Sequence, residues 1–391
     1  MAGRPGRDLR LDVFRGLALF FIFVDHIPEN RFSAFTLQAL GFFDAAEVFI
    51  FLSGYTAALV YGRSLDRNGF VISTAQVYRR VWQLYVAHLF LFVVLSAIVS
   101  YVIGRFGSPI YAEELGVGDF LTEPHVALVR ALTLEFQPTF LDILPLYIVL
   151  LAAFPMVLVA LRRSTWLALV PSLCLYGAVY VFDLRFRGYP NGQSWFFNPL
   201  AWQLLFVVGA AAGYAKVQGA SVSHKARWLV GPALAIVLAF FVIETSWAAH
   251  RLVDAIPALF LKELWPLNKT DLSPIRLVNF LALTLVVAWM VRPEAPWLSS
   301  PWLRPVSLCG KFSLHVFCFG IILSLVGHFV LVELSASRLM QLIVTVSGAE
   351  SPVALVAMTD TVCDPLTRSM PSSEVVPAGT VVGAPPSTVT L

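Results

Sequence analysis

Charge is what this sequence has least of. Asp, Glu, Lys and Arg make up 13% of its 391 residues, about half of the ~25% usual in soluble domains. That shortage excludes an ordinary water-facing surface over most of the chain. The net charge of +3 is too small to argue for a nucleic-acid partner. Cysteine is scarce too. Four are present, none in a CxxC pair, and Cys174, Cys309 and Cys318 lie in or beside apolar segments. This excludes a disulfide framework and leaves them as small apolar side chains. His125, His224, His250, His315 and His328 show no ligand spacing such as HExxH, so no metal is expected. A signal-peptide cleavage site is also missing. Arg4, Arg7 and Arg10 precede an apolar run, but Asp25, His26 and Pro28 close it, which describes a retained first span. No repeat of fixed period is present.

Apolar residues are abundant. The hydrophobic fraction is 58% and the mean hydropathy +0.77. Stretches long enough to cross a bilayer fall near 11–27, 42–61, 84–103, 140–161, 165–183, 199–215, 228–246, 275–291 and 312–333. The expected fold is therefore all-α, a polytopic transmembrane bundle of about nine or ten spans. A tenth stretch at 336–358 is weak, since it contains Arg338, Ser347, Gly348, Glu350 and Pro352. The division expected is a membrane-embedded domain over 1–340, then 341–391 holding that weak span and a tail. From 359 to 391 the chain is rich in Pro, Ser, Thr, Val and Gly and reads as disordered. Arg4, Arg7, Arg10, Arg63, Arg67, Arg79, Arg80, Arg162 and Arg163 fall on the N-terminal side of the spans. With Lys216, Lys225, Arg227, Arg292, Arg304 and Lys311 that side has fifteen basic residues, against nine in the opposite loops, which also hold most of the acids, among them Glu113, Glu114, Asp119 and Glu123. The positive-inside rule then puts the N-terminus in the cytoplasm.

Ionisable groups inside spans are costly and point to function. The first span carries Asp12, Arg15, Asp25 and His26. His26 follows Arg15 by about three helical turns, so both project from nearly one face, roughly 16 Å apart along the axis. Asp12 is spaced to pair with Arg15. Asp44 and Glu47 open the second span on a shared face and return, after a short loop, to the level of His26. A carboxylate beside a histidine orients the ring and raises its basicity. Asp44 or Glu47 is the expected orienter and Asp25 the adjacent alternative. The bland reading is a buried salt-bridge network that only locks the helices.

Arg15, His26 and the run Phe51-Leu52-Ser53-Gly54-Tyr55 are similar to the signature of the type-three membrane acyltransferases. The chain resembles most closely the OpgC branch, over about residues 7–340. The resemblance rests on Arg7 to Phe20, Asp25-His26-Ile27-Pro28, Ser53 to Gly62 and Trp82 to His88. It continues through Phe136-Gln137-Pro138, Leu141 to Tyr147, Trp195 to Gln203, Lys269-Thr270, Ser273-Pro274, Arg276 and Cys309-Gly310-Lys311. It implies a multi-pass enzyme of the bacterial inner membrane that succinylates osmoregulated periplasmic glucans. The donor would be a cytoplasmic acyl-coenzyme A, succinyl-coenzyme A as co-substrate, with no bound cofactor. Arg15 would hold the donor by charge-assisted bonds. His26 would serve as general base on a sugar hydroxyl, or as a covalent acyl carrier. One departure is plain: Ser347 to Pro352 interrupts the expected last span, as a frameshift or a divergent terminus would.

Other candidates have two readings each. Arg79 and Arg80 could receive coenzyme A phosphates, or only anchor the cytoplasmic side. Trp195, Trp202 and Gln203 could form a sugar platform, or belong to the interfacial aromatic belt. Asp142 could line the acceptor entrance, or cap a helix. His88 suits a polar core position. The rival function is a transporter or flippase using the same charges, although matched Gly/Pro interruptions in two halves are not seen.

Overall fold

A computed structural model of the chain describes residues 8–27, 30–107, 110–190, 192–219, 227–248, 268–334, 337–349 and 351. The elements are α1 (Leu9–Asp25), α2 (Ala45–Phe106), α3 (Ile110–Glu114), α4 (Gly118–Thr122) and α5 (Pro124–Leu132). They continue as α6 (Ile143–Arg163), α7 (Thr165–Phe182), α8 (Pro199–Val217) and α9 (Arg227–Ala248). After these come α10 (Pro274–Met290), α11 (Arg304–Lys311) and α12 (Ser313–Glu333). No β-sheet forms among the described residues; Phe136–Tyr189 and Arg187–Ser194 make isolated bridges.

Each of the nine main stretches expected from hydropathy falls mostly on a helix. Among the described residues six helices are long and apolar enough to cross a membrane: α2, α6, α7, α8, Trp228–Thr245 within α9, and α12. The expected number was larger because α1 and α10 have 17 residues each and because α2 holds two of the expected stretches. Its 62 residues are broken at Gly69, whose φ of 77° and ψ of 176° are not helical. A side chain other than glycine is strained there. Ser73 Oγ donates to the Tyr61 carbonyl at 3.0 Å, and Ser64 Oγ to Gln76 Oε1 at 2.7 Å. In a straight helix those residues would stand about 18 Å apart. The two halves of α2 therefore lie side by side.

The helix starts are set by polar caps. Asp8 caps α1, accepting from Arg10 N at 3.2 Å, and its carboxylate also binds the Arg10 guanidinium and Lys216 at the end of α8. Burial pushes the Asp8 carboxyl up, but the hydrogen bonds from Arg10 and Lys216 prevail and hold it at about 2. Asp44 caps α2 in a reciprocal box with Glu47, which satisfies two end N–H groups at once.

Lipid offers no hydrophobic driving force between helices, so close backbone packing is what joins them. Here α2 and α8 meet on glycine. A Cβ at Gly54 would lie 2.0 Å from the Phe206 carbonyl oxygen, and one at Gly209 2.2 Å from that of Phe51. Both neighbours are backbone and cannot yield. Gly209→Leu should therefore keep α8 off α2, which would be seen as loss of the monodisperse peak in detergent chromatography.

Residues 338–349 are helical, so within the expected interruption at Ser347 to Pro352 the helix continues through Ser347, Gly348 and Ala349. Gly348 is instead a contact point: a Cβ on it would lie 2.2 Å from Phe23 Cζ of α1. Asn30 Nδ2 donates to Thr345 Oγ1 at 3.1 Å, so this helix is tied to the loop after α1. Pro352 and the expected disordered tail at 359–391 lie outside the described residues.

Candidate functional site

Two cavities are stacked along the helix axes. The larger, about 600 Å³, is lined by Asp25 and His26 from α1, Asp44, Ala45 and Ala46 from the start of α2, and Asp142 and Ile143 from the start of α6. Its remaining wall comes from connecting segments, including Gln137, Phe140, Tyr189, Trp195, Lys269 and Thr270. The smaller, about 170 Å³, is lined by Arg15, Ser53, Thr56, Tyr61, Arg80, Tyr147 and Ser313 among others. Phe317 of α12 lines both.

His26 is the C-cap of α1, where the helix ends and the ring can turn into the larger cavity. Nδ1 lies 2.6 Å from the Ile22 carbonyl oxygen. A carbonyl oxygen only accepts, so Nδ1 carries the hydrogen. In the neutral ring the lone pair is then on Nε2, the nitrogen suited to take a proton. The ring packs on Phe140 with centroids 4.8 Å apart. Phe140 itself has a φ of 76°, costly for a bulky residue by about 1–3 kcal/mol.

The expected carboxylate on His26 is replaced by that carbonyl. Asp44 and Glu47 do return at its level, but both are drawn to cations. Arg276 Nε donates to Glu47 Oε1 at 2.8 Å and its Nη2 to Asp44 Oδ2 at 3.2 Å. Lys269 Nζ is 2.6 Å from Asp44 Oδ2. Two carboxylates thus face two cations, the arrangement that a buried charge requires. Asp44 lines the cavity; Glu47 is wholly buried behind it. Glu47 thus belongs to the ion-pair network alone, whereas Asp44 joins that network and also faces the cavity. Burial acts to lower the Lys269 ammonium pKa, but the charges of Asp44 and Glu47 outweigh it and the net shift is upward. Asp25 accepts from Thr36 Oγ1 at 2.7 Å and from Gln38 Nε2 at 3.2 Å, so it too is turned from the ring.

The other expected residues divide. Asp142 stands at the N-cap position of α6 without capping it by side chain and lines the larger cavity. Trp195 lines it as well, and its buried Nε1 has no partner. Gln137, which sequence reasoning had not singled out as a site residue, gives Nε2 to the Leu134 carbonyl at 2.9 Å. Its buried Oε1 is left without one. One donor and one acceptor therefore stand unmet in the wall of one cavity, where each costs about 1–3 kcal/mol unless something fills it. Trp202 is not a platform: its Nε1 donates to the carbonyls of Lys269 and Thr270 at 3.0 and 3.1 Å, fixing the loop that presents Lys269. Gln203 is spent on Ser172, accepting from its Oγ at 2.6 Å and donating to its carbonyl at 2.8 Å. Those bonds tie α8 to α7.

On the smaller cavity, Arg15 Nη2 donates to Thr56 Oγ1 at 2.6 Å. Arg80 shares its wall, whereas Arg79 is exposed and lines neither cavity. His88 is wholly buried and lines neither. Among the described residues no group of three or more His, Cys, Asp or Glu is placed to hold a metal ion.

The fold and the two chambers define an all-helical protein with helices fit to cross a membrane and a polar, aromatic-walled site at one end of the bundle. The model of the family described as OpgC protein matches residues 7–362, and the chain belongs to that family. The match runs past 340 to include the helix at 338–349. Membership implies a transferase. No curated protein and no solved structure matches the chain.

Proposed function

We propose that the protein is a membrane O-acyltransferase with the two cavities serving as its two substrate entrances. The observation that carries this reading is the stacking of an arginine-bearing cavity on a histidine-bearing one with a single shared side chain, Phe317. The donor, an acyl-coenzyme A, enters the Arg15 side. Its anionic groups meet Arg15 and Arg80, and the acyl thioester points toward His26. The volume there, about 170 Å³, suits the arm and not the nucleotide, which stays outside. The acceptor hydroxyl enters the larger cavity, where Trp195 and Gln137 offer a donor and an acceptor to a polyhydroxy ligand. Asp142 and Asp25 line the same entrance. His26 Nε2 takes the hydroxyl proton as the oxygen attacks the thioester carbonyl; the thiolate of coenzyme A leaves and recovers a proton. Transfer by way of an acyl-histidine uses the same atoms.

The family points to succinyl-coenzyme A as donor and a periplasmic glucan as acceptor. The charge distribution agrees with a cytoplasmic N-terminus and an inner-membrane location. Nine spans follow if α1 and α10 cross and α2 crosses twice, and ten if the helix at 338–349 also crosses. The test is a reconstituted assay with purified protein, labelled succinyl-coenzyme A and a glucan. Label on the glucan supports the enzyme. Vectorial movement of unmodified solute without transfer overturns it in favour of a transporter.

Arg15 offers a sharper check. A guanidinium that grips an anionic donor through its planar fork is not replaced by an ammonium. Arg15→Lys should thus weaken donor affinity almost as far as Arg15→Ala. Wild-type donor kinetics in the lysine variant would assign Arg15 to helix pairing alone.

A further inference from the structure

On four helices the lining passes from one cavity to the other within a short rise. On α1 it changes between Arg15 and Ile22, on α2 between Ala46 and Phe49, and on α6 between Ile143 and Leu144. The step on α2 is about 4.5 Å, less than one turn. On α12 there is no step, because Phe317 belongs to both walls. Its ring stacks on Phe49, centroids 6.3 Å apart, and Phe49 meets Tyr147 edge-on at 6.1 Å. Three aromatic rings from three helices thus form one partition, of which only Phe317 faces both chambers. It is buried, and such a ring closes a passage by close packing with no polar group to hydrate it.

We propose that Phe317 is the septum between the two cavities, the side chain that separates their contents. On the acyl-transfer reading above, on which this second step rests, it is also the residue the acyl arm passes to reach His26. It then keeps water on the histidine side from the thioester, and the gap beside it limits the acyl groups that fit. A smaller side chain should admit bulkier acyl groups. It should also let water attack the thioester, releasing free acid and coenzyme A thiol without an acceptor.

The septum can be tested without the reaction. Ser53 lines only the Arg15 cavity and is buried; Gln193 lines only the His26 cavity and is exposed. In a background lacking the native cysteines, Ser53→Cys and Gln193→Cys are probed separately with a membrane-impermeant thiosulfonate, applied to each side of sealed proteoliposomes. With Phe317 present, Cys at 193 should react from the His26 side, and Cys at 53 from the Arg15 side alone. With Phe317→Ala added, Cys at 53 should become reactive from the His26 side as well. Reaction of Cys at 53 from both sides with Phe317 present, or continued protection in the alanine variant, overturns the septum. Should the alanine variant not purify as a monodisperse protein, Phe317→Val, which removes the ring but leaves a smaller gap than alanine, carries the same comparison. Labelling as expected from a protein that moves no acyl group onto any hydroxyl leaves the septum standing and overturns the enzyme.

Discussion

Replacing His26 with alanine should lower acyl transfer by about 10²–10⁴-fold, the usual loss when a general base is removed, while insertion and the thermal melt stay near wild type. The expectation of retained folding comes from what His26 holds. Among the described residues its side chain makes one hydrogen bond, to the Ile22 carbonyl four residues back, at a helix end where water or a neighbouring N–H can replace it. Among the described residues no ion pair depends on it: Asp25 is held by Thr36 and Gln38, and Asp44 by Lys269 and Arg276. The chemical loss comes from Nε2, the ring's only basic atom once Nδ1 donates to the carbonyl. His26→Gln tests this separately: it retains a hydrogen-bonding side chain of similar reach but no basic atom. Both variants should bind donor normally and fail in turnover. Turnover near wild type in a folded His26→Ala protein would remove His26 from the chemistry.

Much of this site was legible in the sequence, for a physical reason. Charges inside apolar runs are so expensive that Arg15, Asp25, His26 and Asp44 stand out from their neighbours, and helical periodicity places them on common faces. Each lines one of the two cavities in the structure. Length and hydropathy likewise mark every long apolar helix. What periodicity cannot reach is pairing across long separations. Arg276 and Lys269 sit more than 200 residues from Asp44, and nothing local says that they close on it. A signal was nonetheless present: two carboxylates at the head of one span need cations, and Arg276 opens another span on the same side. Gln137, Phe140 and Trp195 lie on connecting segments, where backbone course is set by tertiary contacts and not by repeat. Trp202 and Gln203 misled because a Trp or Gln at a span end serves a loop backbone as well as a sugar. Only the partner atoms distinguish the two. The turn at Gly69 was readable as Asn68-Gly69, a pair favoured where φ must be positive.

Arg276 should be indispensable to folding and not to chemistry. Its guanidinium is buried against Glu47 and Asp44, and Glu47 also accepts from the backbone N–H of Asp44 at 2.9 Å. Arg276→Ala would leave Glu47 buried and unpaired, and breaking a buried pair by removing one partner costs about 3–5 kcal/mol. Lys269 cannot compensate, since it meets Asp44 on the cavity side while Glu47 lies behind. The expected result is a large fall in melting temperature or failure to purify, with Glu47→Ala showing the same defect through an unpaired Arg276. The double replacement Glu47→Leu/Arg276→Met separates the two explanations. Swapping both charges for apolar groups of similar volume is often neutral in stability, so this protein should melt well above either single variant. If Glu47 only locks α2 to α10, the double variant also regains acyl transfer. A double variant that is stable yet inactive would show instead that Glu47 acts on the reaction, by setting the charge that Asp44 presents to the cavity.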